Sequence, residues 1–317
     1  MDGVEIPKFD FFTKTWHNSS YGAISPTREQ NSASGKNVVV TGGGTGVGNS
    51  IAKSFAQAGA ASVSILGRRP DRLIAAVEEI VTVANAGTKL HYEVADLMER
   101  ADVDKALQSI VNKFGKISIF VSNAGSLPMP QLLSEHDPQV FMRSFDLNVR
   151  STFNAIQAFM PVADTEPTFL NISTGVAHLM PMPKMSAYAA SKAANAKMVD
   201  DLAAENPHIH VVNIQPGVMF TEMHEGSSDF EAQDDCKPLR SLCWRRTDEV
   251  TVELPGHFSV WLACPEARFL KSTFVWANWD VDELIQRADE IQISNLIRVK
   301  LEGAPFQGHK TLATNVQ

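Results

Sequence analysis

The chain has 317 residues, 44% of them hydrophobic and 20% charged, with a formal net charge of -8; length and balance fit one large α/β domain with a substantial core. That charge supplies no basic stripe for neutralising phosphates, which argues against a nucleic-acid partner and, in the same way, against a membrane surface. Cys236, Cys243 and Cys264 are too few and too irregularly placed for a disulfide framework or a zinc site, so a reducing, cytoplasmic setting and metal-free chemistry are expected.

A leader over 1–35 comes first. It has no basic start followed by an apolar run and a small-residue cleavage site, so no secretory signal is expected, and no apolar segment of the chain is long enough to cross a bilayer. Phe9, Phe11, Phe12, Trp16 and Tyr21 predict an arm packed on the body or on a neighbouring subunit. Strand-like runs follow at 38–40, 62–66, 90–94, 117–121, 169–172, 210–214 and 273–276, with helical patterns between them. This alternation predicts right-handed crossovers and a doubly wound parallel seven-stranded sheet, Rossmann-like, with helices on both faces. The expected organisation is an extension over 1–35, a single domain over 36–280 with a lid at about 220–250, and a C-terminal extension over 281–317.

The first strand breaks into Thr41-Gly42-Gly43-Gly44-Thr45-Gly46-Val47-Gly48, after which Ile51, Ala52, Phe55 and Ala56 fall at helical spacing. Strand, glycine loop and helix in that order aim free backbone N–H groups and a helix N-terminus at a pyrophosphate. The second strand ends in Gly67-Arg68-Arg69, where an acid would bond a ribose 2′-hydroxyl. A guanidinium at that place bonds a 2′-phosphate instead, so NADP(H) is favoured over NAD(H). Further on, Tyr188-Ala189-Ala190-Ser191-Lys192 puts a phenol and an ammonium on one helix face, an arrangement expected to lower the phenol's pKa and to move protons. His208 and His210 alternate at the start of a strand and read as ordinary surface and core histidines before they read as a ligand pair.

Taken together, Thr41-Gly42-x-x-x-Gly46-x-Gly48, Asn123-Ala124-Gly125, Leu147-Asn148-Val149, Tyr188-x-x-x-Lys192 and Pro216-Gly217 resemble the motifs of the short-chain dehydrogenase/reductase family in its ordinary single-domain form. The segment 274–284 and the leader around Ser25-Pro26-Thr27-Arg28 resemble, more loosely, filamentous-fungal reductases of secondary metabolism. The resemblance implies hydride transfer between C4 of a nicotinamide and a carbonyl or carbinol carbon of a bulky apolar small molecule, in a homo-oligomer, a dimer or tetramer. It gives Gly42, Thr45, Gly46, Val47 and Gly48 to the phosphates, Asp96 and Leu97 to the adenine, Asn123 to the cofactor cleft, and Val218 and Thr221 to the nicotinamide amide. Tyr188 would exchange the substrate proton, Lys192 would hold the ribose and lower the tyrosine pKa, and Asn148 would hold a water linking Lys192 to solvent. The family also places a serine at a fixed distance before the tyrosine, and Gly175 stands there; a one-residue insertion in the following loop moves the role to Thr174, with Ser173 as the alternative. Met219, Phe220, Met223, Phe230 and Trp244 would line an apolar pocket under the lid. Two other readings stay open at this point: a non-redox isomerase or cyclase using the same tyrosine, and a non-catalytic NADP(H)-binding sensor.

Overall fold

The structure, a computed structural model, describes residues 11–179, 181–219 and 250–299. Its apolar runs form β1 (Asn37–Thr41), β2 (Ser62–Gly67), β3 (Lys89–Val94), β4 (Ile117–Ser122), β5 (Ala163–Ile172), β6 (His210–Gln215) and β7 (Thr273–Trp276). All six pairings are parallel, in the order β3-β2-β1-β4-β5-β6-β7. The sheet reverses its winding between β1 and β4, and in such sheets ligands bind in the crevice beyond the strands' carboxyl ends at that reversal.

The helices are α1 (Gly46–Gln57), α2 (Pro70–Val81), α3 (Arg100–Phe114), α4 (Pro138–Phe145), α5 (Ser151–Phe159), α6 (Ser186–Glu205), α7 (Glu253–Leu262), α8 (Val281–Gln286) and α9 (Ala288–Ile293). Because strand side chains alternate between faces, Val38, Val40, Ile119, Val121, Leu170, Ile172, Val212 and Ile214 join the buried cluster that includes residues of α1, α2 and α7. Val39, Phe120, Phe169 and Val211 join the opposite cluster with α3, α5 and α6. There Phe120 stands 5.1 Å from Phe159 and 5.5 Å from Phe169, ring centroid to ring centroid. Both faces are therefore covered, as near-continuous apolar strands require.

β5 starts six residues before the run at 169–172. Its early part carries polar Asp164 and exposed Thr165 and Glu166, then Pro167, which has no N–H for the ladder, and the register with β4 shifts between Ile117 and Ile119. A pattern sought in apolar residues passes over such a segment.

The aromatic leader packs on its own chain. Trp16 bridges Trp279 in antiparallel sense, and Lys14 and Thr15 donate their backbone N–H groups to the Glu283 carboxylate at 2.7 and 2.8 Å. His17 stacks on Tyr21 at 3.6 Å and bonds Asp280 at 2.8 Å, while the Arg287 guanidinium sits 3.7 Å over the Phe12 ring. Phe9 lies outside the described residues. Among the described residues no helix is long and apolar enough to cross a membrane.

Candidate active site

The glycine loop links β1 to α1 at the sheet's reversal. Gly42 has φ +66°, and a Cβ on Gly48 would stand 2.3 Å from the Gly42 carbonyl oxygen, so neither position admits a larger residue without displacement. Thr45 precedes α1 in an extended conformation and contributes no side-chain cap, which leaves the first N–H groups of the helix free to meet an anion. Val47 packs against the core and holds the first turn down. The other wall comes from β4: the Asn123 side-chain amide donates to the carbonyl of Thr41 at 2.9 Å, and Thr41 Oγ1 accepts from the N–H groups of Asn123 and Ala124 at 3.0 and 3.1 Å. Loop and wall are thus built as one piece, and the cradle fits a dinucleotide pyrophosphate.

Arg68 is exposed just past β2, at the outer end of this cradle. Beyond β3, Asp96 accepts from the Met98 N–H at 3.0 Å and Leu97 is buried. Asn154 of α5, which no motif had brought forward, holds that turn by donating to the carbonyls of Leu97 and Met98 at 2.9 and 3.1 Å. Arg72 was likewise passed over: its Cβ would lie 3.5 Å from a Cβ added to Gly44, so its position is directly above the loop.

α6 delivers Tyr188 and Lys192 one turn apart. Lys192 is 5% exposed, and its ammonium donates to the Ile172 carbonyl at the end of β5 at 2.9 Å. Burial draws its pKa down from 10.5 to about 8. An ammonium has three hydrogens and the described residues take one, so the remainder suit ribose hydroxyls.

Tyr188 departs from expectation. Burial pushes its pKa up to about 12, and a side-chain hydrogen bond with Thr174 opposes the rise. The direction is opposite to the lowering that the spacing implied. At neutral pH it keeps its proton.

That same hydrogen bond separates the two hydroxyl candidates. Thr174 reaches Tyr188, while Ser173 is buried and its Oγ has no partner among the described residues. Gly175 has no side chain to offer and is closed in by Trp276, whose ring carbon would lie 3.0 Å from an added Cβ.

Asn148 occupies a π turn, Asp146–Arg150, inserted between α4 and α5, a distortion often found at functional sites. Its Oδ1 accepts from the Ser126 N–H at 2.8 Å, and its Nδ2 donates to the Ser126 carbonyl at 3.0 Å and to Ser191 Oγ at 3.1 Å. A Cβ on Gly125 would stand 3.0 Å from Asn148 Oδ1 and 3.3 Å from Lys192 Nζ, so the asparagine and the lysine share one small space. The structure accordingly brings together Tyr188, Lys192, Thr174 and Asn148, near Asn123-Ala124-Gly125.

Beyond β6, Val218 is 40% exposed and Met219 is buried. Thr221, Phe220, Met223, Phe230 and Trp244, Cys236 and Cys243, and all of the lid expected at about 220–250 except Val250 lie outside the described residues. His210 is a core histidine, buried with its Nε2 bonded to the Leu262 carbonyl at 3.0 Å and its pKa drawn by burial down to about 3. Among the described residues no group of three or more His, Cys, Asp or Glu is placed to hold a metal. A surface depression of about 590 Å³, lined by residues that include Arg100, Phe153, Leu202 and Asn206, holds none of the candidate residues; it sits toward the opposite end of α6.

The short chain dehydrogenase family model matches residues 36–232. A short chain dehydrogenase/reductase of Claviceps purpurea is 34% identical over 277 residues, covering 86% of this chain and 88% of its own. The short chain dehydrogenase/reductase AacuD of Aspergillus aculeatus is 30% identical, covering 90% and 96%. Among solved structures, a dehydrogenase/reductase from Sinorhizobium meliloti is similar with a TM-score of 0.70 at 27% identity, over 78% of this chain and 95% of that one. A short chain dehydrogenase from Burkholderia cenocepacia in complex with NADP is similar with a TM-score of 0.66 at 26% identity, over 77% and 96%.

Proposed function

The chain belongs to the short-chain dehydrogenase/reductase family, and from that premise we propose that it is an NADP(H)-dependent oxidoreductase acting on a carbonyl or alcohol of a bulky apolar small molecule in fungal secondary metabolism. The observation that carries this reading is the buried Lys192 ammonium, bonded to the Ile172 carbonyl and one helical turn from Tyr188. A binding-only protein has no use for a desolvated phenol aligned with a hydroxyl at the mouth of a dinucleotide cradle.

When bound, the nicotinamide supplies or accepts the hydride. Thr174 orients the substrate oxygen with its hydroxyl, and Tyr188 gives that oxygen a proton in reduction or takes one in oxidation. A phenol that retains its proton at neutral pH is in the state the reductive direction needs. Lys192 would hold the ribose with its remaining hydrogens, Val218 and Thr221 would hold the nicotinamide amide, Asn123 would line the cleft, and Asp96 with Leu97 would flank the adenine. Arg68 would meet the 2′-phosphate, a reading supported by its exposed place after β2 and by the NADP complex of the Burkholderia relative.

The relatives from Claviceps and Aspergillus support the fungal setting, and buried Met219 supports an apolar pocket. The test is loss of NADPH absorbance on incubation with a panel of bulky aromatic and alicyclic ketones, with product identified by mass. Conversion of at least one ketone, with NADH a poorer reductant, is expected. A ketone isomerised or cyclised with no change in absorbance would refute the redox reading.

A further inference from the structure

Three asparagines interrupt apolar or alanine-rich runs: Asn171 within β5, Asn213 within β6, and Asn195 in the Lys192-Ala193-Ala194-Asn195-Ala196 stretch of α6. All three are about 1% exposed. Asn195 lies three residues beyond Lys192 and seven beyond Tyr188, on their face of the helix.

Its hydrogen bonds are almost fully spent. Asn195 Nδ2 donates to the backbone carbonyl of Asn148 at 2.7 Å and to Thr152 Oγ1 at 2.8 Å. Its Oδ1 accepts from Asn171 Nδ2 at 2.7 Å, and that amide also donates to Asn213 Oδ1 at 2.7 Å. Asn171 immediately precedes Ile172, whose carbonyl receives the Lys192 ammonium, and stands three residues before Thr174. One side chain therefore touches all three elements that carry the site: α6 with Tyr188 and Lys192, the π turn with Asn148, and the end of β5 with Thr174.

These bonds also fasten the π turn: the Asn148 carbonyl, in the middle of it, accepts from two side chains, Asn195 Nδ2 and, at 3.3 Å, Thr152 Oγ1. An apolar residue of the same size at 195 would fill the space yet leave that carbonyl and the Asn171 amide short of partners in the interior. The buried amide is better explained by what it aligns than by the packing it contributes.

We propose that Asn195 is the positioning residue of this active site, setting the Asn148 turn against Lys192 and the Thr174 end of β5. The inference rests on the oxidoreductase reading above. Asn195 meets neither substrate nor cofactor; it acts through Asn148. Displacements of about 1 Å in a catalytic constellation cost on the order of a hundredfold in rate, and a lost amide bridge permits a shift of that size.

The experiment is a double-mutant cycle on kcat with Asn195→Leu, Asn148→Ala and the pair, all in the full chain with NADPH and the best ketone from the panel. Asn195→Leu is expected to lower kcat ten- to a hundredfold while the KM values for NADPH and ketone stay within about twofold. The pair is expected to be no slower than Asn148→Ala alone, because a residue acting through Asn148 loses its lever when that side chain is gone. Multiplicative losses in the pair, or an undiminished kcat in Asn195→Leu, would overturn the inference. If Asn195→Leu does not fold, Asn195→Ser, which keeps one short donor, enters the same cycle with a smaller expected loss and the same refuting outcomes. A parent enzyme that turns over no ketone defeats the oxidoreductase reading; an active parent whose variants behave additively defeats only the role of Asn195.

Discussion

Replacing Lys192 with methionine tests the environment on which the site depends. The ammonium is buried, and its pKa falls from 10.5 to about 8; the folded chain thus holds this proton more weakly than the unfolded chain does. The resulting penalty is fully present below the folded pKa, shrinks as pH rises between the two values, and is gone above the unfolded one. At neutral pH it amounts to roughly 3 kcal/mol, of which roughly 2 kcal/mol is recovered on going from about pH 7 to about pH 9.5. Methionine fills similar volume and does not titrate. Its loss of the bond to Ile172 shifts the comparison by a nearly constant amount, so the informative quantity is the slope with pH. Urea unfolding of the cofactor-free parent and of Lys192→Met, at several pH values in this range, isolates the lysine because every other titrating group cancels. The parent is expected to gain roughly 2 kcal/mol on the variant from the lowest to the highest pH. A difference that stays flat to within about 0.5 kcal/mol would mean that Lys192 titrates as an exposed lysine does, and the desolvated site described above would be wrong.

Four further substitutions address the assigned roles. Thr174→Val is expected to lower turnover by about a hundredfold or more, whereas Ser173→Ala, which removes a hydroxyl with no partner among the described residues, retains most of it; steady-state rates in which the alanine variant is the inactive one would move the role to Ser173. Tyr188→Phe is expected to lose about 10² to 10⁴ in turnover with NADPH affinity by fluorescence titration within about twofold of the parent, and a variant that turns over at the parent rate would remove the phenol from the chemistry. Arg68→Asp is expected to change the ratio of NADPH to NADH affinity by tenfold or more, since each charge-assisted contact to phosphate is worth about 1.5 to 3 kcal/mol; equal affinities in the parent would refute the assignment.

The seven strands were readable because a sheet covered on both faces forces nearly continuous apolar runs, and Val38, Val39 and Val40 or Val211 and Val212 announce it directly. The front of β5 escaped because Asp164, Thr165, Glu166 and Pro167 have the chemistry of a loop. At the site, spacing identified Tyr188 and Lys192, but spacing carries no information about solvent, so the direction of the phenol's pKa was inverted. Thr174 could be separated from Ser173 only in three dimensions, where one hydroxyl meets Tyr188 and the other finds no hydrogen-bond partner among the described residues. Asn195 and Asn171 left a faint mark, a lone amide in an apolar stretch, whose meaning depends on partners 24 and 47 residues away in the chain.

The docking of the leader sets an order of events in the making of the molecule. Lys14 and Glu283 are separated by 269 residues, and during synthesis the aromatic arm leaves the ribosome long before the surface that receives it exists. At common elongation rates the wait is roughly 15 to 55 seconds. Throughout that interval Phe11, Phe12 and Trp16 are uncovered next to a half-formed sheet, a natural target for chaperones that hold nascent chains. Residues made early are here fastened only after the surface that receives them has been made.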